Sequence, residues 1–286
     1  MIILMSNRLD DIFLEKLNLP VSLPSENMED ITGLFFDWVP KTSAYEDAWM
    51  VQASLLQEHI KTEIPIVIYD RHLSLSEKEV EWVNKFNVHL FEPALNSGRS
   101  GFQYLPEWCS NFEIVIDDED REFDLVYSHH ELEFNIRNFE KWFVDYSRLF
   151  PEKSVAYSAV SLSDFKKEEY KGSNLRYLDH HHPIFNEGNF TVAIDKNVMY
   201  DVGYFNPMYF YAMNLGCLPL LPAEHKYFHG MFKGLVVQNL NDMDYYISTF
   251  GKVKDIVIGE LFDTIKSQWN EFTVDHAADI IRNCYE

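Results

Sequence analysis

At 286 residues, with 47% hydrophobic side chains and 22 Phe, 16 Tyr and 6 Trp, the chain is too apolar for a disordered protein and long enough for two medium domains. No apolar run reaches the ~20 residues that cross a bilayer, so the pattern predicts no membrane partner. Its 24 Lys and Arg against 46 Asp and Glu leave a formal charge of −22, a field that disfavours loose, non-specific grip on nucleic acid.

The start, MIILMSNRLDD, has no basic residue ahead of its short apolar stretch. That predicts a first core strand instead of a secretory leader, and hence a cytoplasmic protein. IILM (2–5) and LFFDW (34–38) read as strands. SAYEDAWMVQASLLQEHI (43–60) reads as a helix, with Ser43 and Glu46 at capping-box spacing. IPIVIYD (64–70) is continuous and β-branched, as a strand buried on both faces should be. SLSEKEVEWVNKF (74–86) is a helix with Ser74 or Ser76 as N-cap. VHLFE (88–92), FEIVID (112–117) and FDLVYS (123–128) are further strands. From Glu131 to about Phe150 an amphipathic helix carries a core stripe of Phe134, Phe139, Trp142 and Phe143.

Pro151 interrupts the pattern, and a second series begins: SVAYSAV (154–160), FTVAID (190–195), CLPLL (217–221) and GLVVQ (234–238). Asn241 and Asp242 are placed to cap the next helix, and helices over about 253–270 and 274–284 end the chain. Cys109, Cys217 and Cys284 form no CxxC pair and read as reduced structural thiols. The expected fold is α/β, with two Rossmann-like domains facing a cleft. A first domain would cover 1–150 and a second 151–270, with 271–286 packing back on the first.

In FNPMYFYAMNLGCLPLLP (205–222), Asn206 can cap a helix whose first turn takes Pro207, and Gly216 supplies the left-handed residue that ends it. The unpaired amides at such a helix start suit a phosphate. This helix–glycine–strand unit resembles the donor half of GT-B glycosyltransferases, where S-P-x-x-x-E-A-x-x-x-G-x-P-x-I is common. Asn206-Pro207, Ala212, Gly216 and Pro219 supply the matching letters. The family's ribose-binding acid falls at Tyr211, so Glu224 in the next loop is the expected substitute. FDLVYSHHELEFN (123–135) and IPIVIYDRH (64–72) are similar to segments of phage DNA α-glucosyltransferases, GT-B enzymes that decorate hydroxymethylated cytosine.

The resemblance implies transfer of a sugar from a nucleotide-sugar donor, a UDP-sugar by preference, to an acceptor hydroxyl, with a hydroxymethylated pyrimidine in double-stranded phage DNA as the specific acceptor. The host cytoplasm would then be its setting. A saccharide or lipid-linked acceptor is the alternative within the class, and a non-catalytic α/β binding protein the alternative outside it. Glycosyl transfer needs donors or cations on the leaving diphosphate and a base for the hydroxyl. Asp70 and His72, at the end of the 64–70 strand, fit the base, or else cap the following helix. Donor contacts are expected from Arg176, Lys196, Tyr204, Asn206, Tyr211 and Glu224. Ser128, His129 and His130 at a strand end, and Arg99 in the flexible NSGRSGF loop, are expected at sugar or acceptor; a plain surface turn is the other reading of Arg99.

No metal ligands are assigned. HHH at 180–182 with Asp179 lacks metal-site spacing. IVIDDEDRE (114–122) is similar to the strand-then-DxD of metal-dependent GT-A enzymes, though a solvated acidic turn accounts for it as well. No cofactor is required, and Mg²⁺ or Mn²⁺ at that turn is left open.

Overall fold

The computed structural model describes residues 1–5, 11–22, 31–43, 45–115, 121–129, 136–159, 174–178 and 184–286. They form two compact units, one of residues 1–110 with 270–286, the other of residues 111–269.

Unit 1 contains β1 (Ile2–Met5), α1 (Asp11–Leu17), β2 (Val21–Ser22), β3 (Gly33–Asp37), α2 (Glu46–His59), β4 (Ile66–Tyr69), α3 (Glu77–Val83), β5 (Val88–Glu92) and β6 (Gln103–Tyr104). The strands pair in parallel in the order β2-β1-β3-β4-β5-β6. Strand residues alternate between faces, so adjacent residues enter different cores. Ile2, Leu4, Phe35, Val67 and Tyr69 pack with Phe13 and Leu17 of α1 and with the final helix, Val274–Asn283. Ile3, Leu34, Phe36, Ile66 and Ile68 pack on the other side with Leu55 and Leu56 of α2 and Val80 and Val83 of α3. Burial on both faces is why these strands read as unbroken apolar runs.

Unit 2 contains β7 (Phe123–His129), a helix α4 over 136–149, β8 (Val155–Ala159), β9 (Leu175–Tyr177), β10 (Gly188–Val192), α5 (Asn197–Val202), α6 (Met208–Asn214), β11 (Leu218–Pro222), β12 (Val236–Val237), α7 (Leu240–Phe250) and α8 (Lys254–Gln268). Numbering is completed by α9, the Val274–Asn283 helix of unit 1. The strand order is β12-β11-β10-β7-β8-β9, all parallel, which is two mononucleotide-type halves meeting at β7 and β10. A π turn at Glu140–Val144 inside α4 accommodates Phe139 and Phe143, which with Tyr127 and Tyr157 form an aromatic pile with centroids 4.9 to 5.5 Å apart.

The boundary expected at Pro151 falls instead between Ser110 and Asn111, because the 123–129 strand pairs with β8 and β10 of the second sheet. Residues 112–115 of the expected 112–117 strand belong to no sheet; Val115 N–H donates to Asn214 O and Phe112 packs edge-on against Phe262. Ser43 caps nothing, since α2 begins at Glu46 after Tyr45. Ser76 and Glu79 do form a reciprocal capping box on α3. Asn239, two residues before the expected cap, accepts from Asn241 and Asp242 N–H.

Gly216 ends α6 with φ +68°, and the Cys217 N–H reaches back to Ala212 O while Gly216 N–H reaches Met213 O. A Cβ there would also lie 2.7 Å from Arg121 Nη2, whose guanidinium donates to the Leu215, Phe185 and Gly188 carbonyls. Glycine is therefore required twice, by backbone and by space.

Candidate functional site

In open α/β sheets, ligands sit beyond the carboxyl ends of the strands where the chain order reverses. In unit 2 that point lies between β7, ending in Ser128 and His129, and β10, whose exit runs Ile194, Asp195, Lys196. The backbone here is tied down from several sides. Tyr209 Oη donates to Ile194 O (2.7 Å), Asp195 N–H donates to Tyr200 Oη (2.8 Å), and Asn138 Nδ2 on α4 donates to Asp195 O (2.6 Å).

Asp195 is 4% exposed, and among the described residues its Oδ1 accepts a long bond from Asn206 Nδ2 (3.3 Å). Its Oδ2 is buried with no hydrogen-bond partner among the described residues. Burial pushes its pKa up to about 7, with Asn206 and Lys196 opposing the rise. Beside Tyr200 (4.8 Å between centroids) lies His225, 1% exposed, its Nδ1 likewise without a hydrogen-bond partner among the described residues. Burial drives its pKa down to about 3. An ionisable group that is buried and incompletely satisfied costs stability, and such groups concentrate where a protein works on something.

Asn206 and Lys196, both expected from the sequence, belong to this place, and Tyr204 is anchored next to it by its N–H on Met199 O (3.0 Å). Glu224 forms an exposed pair with Lys141 of α4 (2.5 Å). Tyr211 is 47% exposed on α6 and offers no carboxylate. Arg176 is not brought here: it lies on edge strand β9, paired with Glu122, which precedes β7 and so marks the opposite, amino end of the sheet. The expected phosphate seat at the start of α6 is also altered. Asn206 Oδ1 already accepts the Met208 N–H (3.0 Å), and Asn206 O accepts that of Tyr209 (3.2 Å). His130, Asp179, residues 180–182 and the acidic turn 116–120 lie outside the described residues. Among the described residues no group of three His, Cys, Asp or Glu is placed to hold a metal. Asp195, Asn138, Tyr200 and His225 were missed. An acid closing an otherwise apolar strand was the one signal available for Asp195.

The carboxyl edge of unit 1 carries the other expected residues. Asp70 is fully buried; its Oδ1 accepts from Ser74 N–H (2.8 Å) and Oγ–H (3.0 Å), its Oδ2 from Leu75 N–H (2.9 Å) and Arg99 Nη2 (2.7 Å). Arg99 also pairs with Glu92 (2.9 Å), so its charge is met by two carboxylates and not held over an external anion. Desolvation raises the Glu92 pKa despite Ser97 and Arg99. A second set stands alongside, with Arg71 bridging Asp37 (3.1 Å) and Glu107 (2.9 Å). His72 is half-buried, 5.7 Å from the Tyr45 ring, and the next residue, Leu73, takes φ +53°. A leucine in that region stores strain, and Asp70 holds the turn that imposes it.

No protein-family profile matches the chain, and no curated protein sequence matches it. Solved structures do. A structure of T4 phage BGT in complex with its UDP-glucose substrate superposes with a TM-score of 0.67 at 11% identity, covering 100% of this chain and 98% of that one. A second T4 phage beta-glucosyltransferase structure gives 0.66 at 10% identity. The fold is GT-B. A glycosyltransferase from Rickettsia africae (TM-score 0.57, 7% identity, 95% of this chain and 86% of that) and a Thermobaculum terrenum O-GlcNAc transferase mutant (0.55, 10%, 99% and 67%) share the GT-B arrangement. The sequence resemblance had been to α-glucosyltransferases of phage; these T4 structures are of the β-enzyme.

Proposed function

We propose that the chain is a glycosyltransferase that takes a sugar from a nucleotide-sugar donor, a UDP-sugar first, and delivers it to a hydroxymethylated pyrimidine in phage DNA. The observation that carries this reading is the end-to-end match to a GT-B structure bound to UDP-glucose, joined to a polar, incompletely satisfied strand-order reversal in unit 2. Unit 2 is then the donor side. Lys196 supplies positive charge for the diphosphate, and Ser128, His129, Tyr204 and Asn206 surround the same strand ends. On unit 1 the acceptor's proton falls to the 70–72 turn. Asp70 already accepts four hydrogen bonds, so His72 is the group we assign to the proton and Asp70 the one that holds the turn. His72→Gln should lower kcat by about 10²- to 10⁴-fold with donor binding unchanged; a larger loss in Asp70→Asn, with His72→Gln near normal, reverses the two roles.

The test combines binding with product. A nucleotide sugar at 100 times its Kd should add about 2.7 kcal/mol of stability. Incubation with hydroxymethylated duplex DNA should then yield a base heavier by one sugar in the mass spectrum, with and without EDTA to read any need for Mg²⁺ or Mn²⁺. Failure of UDP-, GDP- and other activated sugars to move the melting curve, with no product, overturns the proposal. Tyr211 in place of a carboxylate favours a second reading, a non-catalytic binding protein. Stabilisation by a nucleotide sugar without transfer to DNA or saccharides would select it.

A further inference from the structure

On one face of the unit 1 sheet, α2 and α3 border a cavity of about 350 Å³ whose lining includes Trp38, Trp49 and Trp82. Three of the chain's six tryptophans therefore meet in one small groove. The helix residues follow helical spacing: Trp49, Leu56 and Gln57 fall at i, i+7 and i+8 on α2, and Glu79 and Trp82 at i and i+3 on α3, with Leu75 just ahead of its Ser76 cap. Trp38 is 4% exposed, whereas Trp82 is 37% exposed. Gln57 and Glu79 are exposed and bring a carboxamide and a carboxylate to the same lining.

Flat indoles with a few fixed polar groups suit a ligand that is itself two-faced. A pyranose is such a molecule, with C–H bonds on its faces and hydroxyls round its edge that need both donors and acceptors. Glu79 is already held in place, its Oε2 accepting from Ser76 N–H (2.7 Å) and Oγ–H (2.6 Å), so little side-chain freedom is lost on binding. Two other ligand classes fit less well. Glu46, Asp47 and Glu58 on α2 and Glu77, Glu79 and Glu81 on α3 oppose a phosphate or nucleic acid. An organic cation meets Lys41, whose ammonium already stands 4.5 Å from the Trp49 ring centroid.

We infer that this groove is a saccharide-binding site that takes a neutral sugar ring against its indoles, with Gln57 and Glu79 reading the hydroxyls. It goes beyond the donor reading and lies wholly within unit 1. Titrating the full chain with methyl glucoside and a neutral gluco-oligosaccharide, followed by tryptophan emission, should give a saturable change without any nucleotide present. Trp82→Ala should weaken it about tenfold, the weight of one aromatic face. Gln57→Leu, at an exposed position that leaves the indoles intact, should weaken it too. Both variants should keep the stabilisation by nucleotide sugar, so loss of that effect in the wild type would strike the donor proposal and leave this one standing. The inference is overturned if neutral saccharides leave the emission unmoved, if both variants bind them as tightly as the wild type does, or if only tetramethylammonium or an oligonucleotide produces the change.

Discussion

At the carboxyl edge of unit 1, Asp37, Asp70, Glu92 and Glu107 are threaded by Arg71 and Arg99. At the corresponding edge of unit 2, among the described residues, Asp195 is buried with a long hydrogen bond from Asn206 to its carboxylate and His225 Nδ1 has no hydrogen-bond partner. Buried acids line both edges, yet the first sets two guanidiniums between its four carboxylates and the second meets Asp195 with an amide. A cation-bridged network fixes a turn, here the one that presents His72. An uncompensated one holds energy that a ligand or a proton can release.

The sharpest way to break this comparison is Arg99→Met. It would strand Asp70 and Glu92, at 0% and 4% exposure, without their cation, and should cost about 3–5 kcal/mol by urea denaturation. A loss under about 1 kcal/mol would show that the ion pairs are not what holds this edge.

The next effect is in pH. Folded Asp195 titrates near 7 against an ordinary 3.8, so the stability tied to its proton is full below 3.8 and lost as pH rises to about 7. Folded His225 titrates near 3 against 6.5, so its contribution is full above 6.5 and lost as pH falls towards 3. Between about 4 and 6.5 the two slopes, each about 1.4 kcal/mol per pH unit, oppose one another. Asp195→Asn should remove one of them, so that stability climbs with pH across that window, read from urea midpoints. A variant profile parallel to the wild type would refute the assignment.

The smallest effect belongs to Lys141→Ala. Its partner Glu224 is about half exposed, and the change should stay within about 1 kcal/mol, measured the same way. It should also leave nucleotide-sugar stabilisation intact; a clear loss would return Glu224 to the donor site.

The core strands of unit 1 were legible because burial on both faces writes continuous apolar runs, as in Leu34–Phe36 and Ile66–Tyr69. Which sheet a strand joins is a different kind of information. FDLVYS reads identically whether it closes the first unit or opens the second, and only its partners β8 and β10 decide. Gly216 announced its left-handed turn, while Arg121, 95 positions earlier, gave no hint that it would clasp the carbonyls around that turn. Asp70 and Arg99 were picked out separately, one for catalysis and one for sugar or acceptor contact. Their mutual attraction emerges only once a separation of 29 positions has been folded away.

The last helix carries a consequence for synthesis. Arg282 of α9 donates to the Leu17 and Lys16 carbonyls, and Tyr285 Oη donates to Leu34 O (2.7 Å), so the earliest residues are clasped by the latest. On a ribosome, residues 111–269 must all be made before Val274, Ala277, Ala278 and Ile281 can cover Phe13 and Leu17. At ordinary elongation speeds that is a wait of roughly ten to thirty seconds. By its end, the intervening unit has its whole sequence available while the N-terminal one still lacks its closing piece.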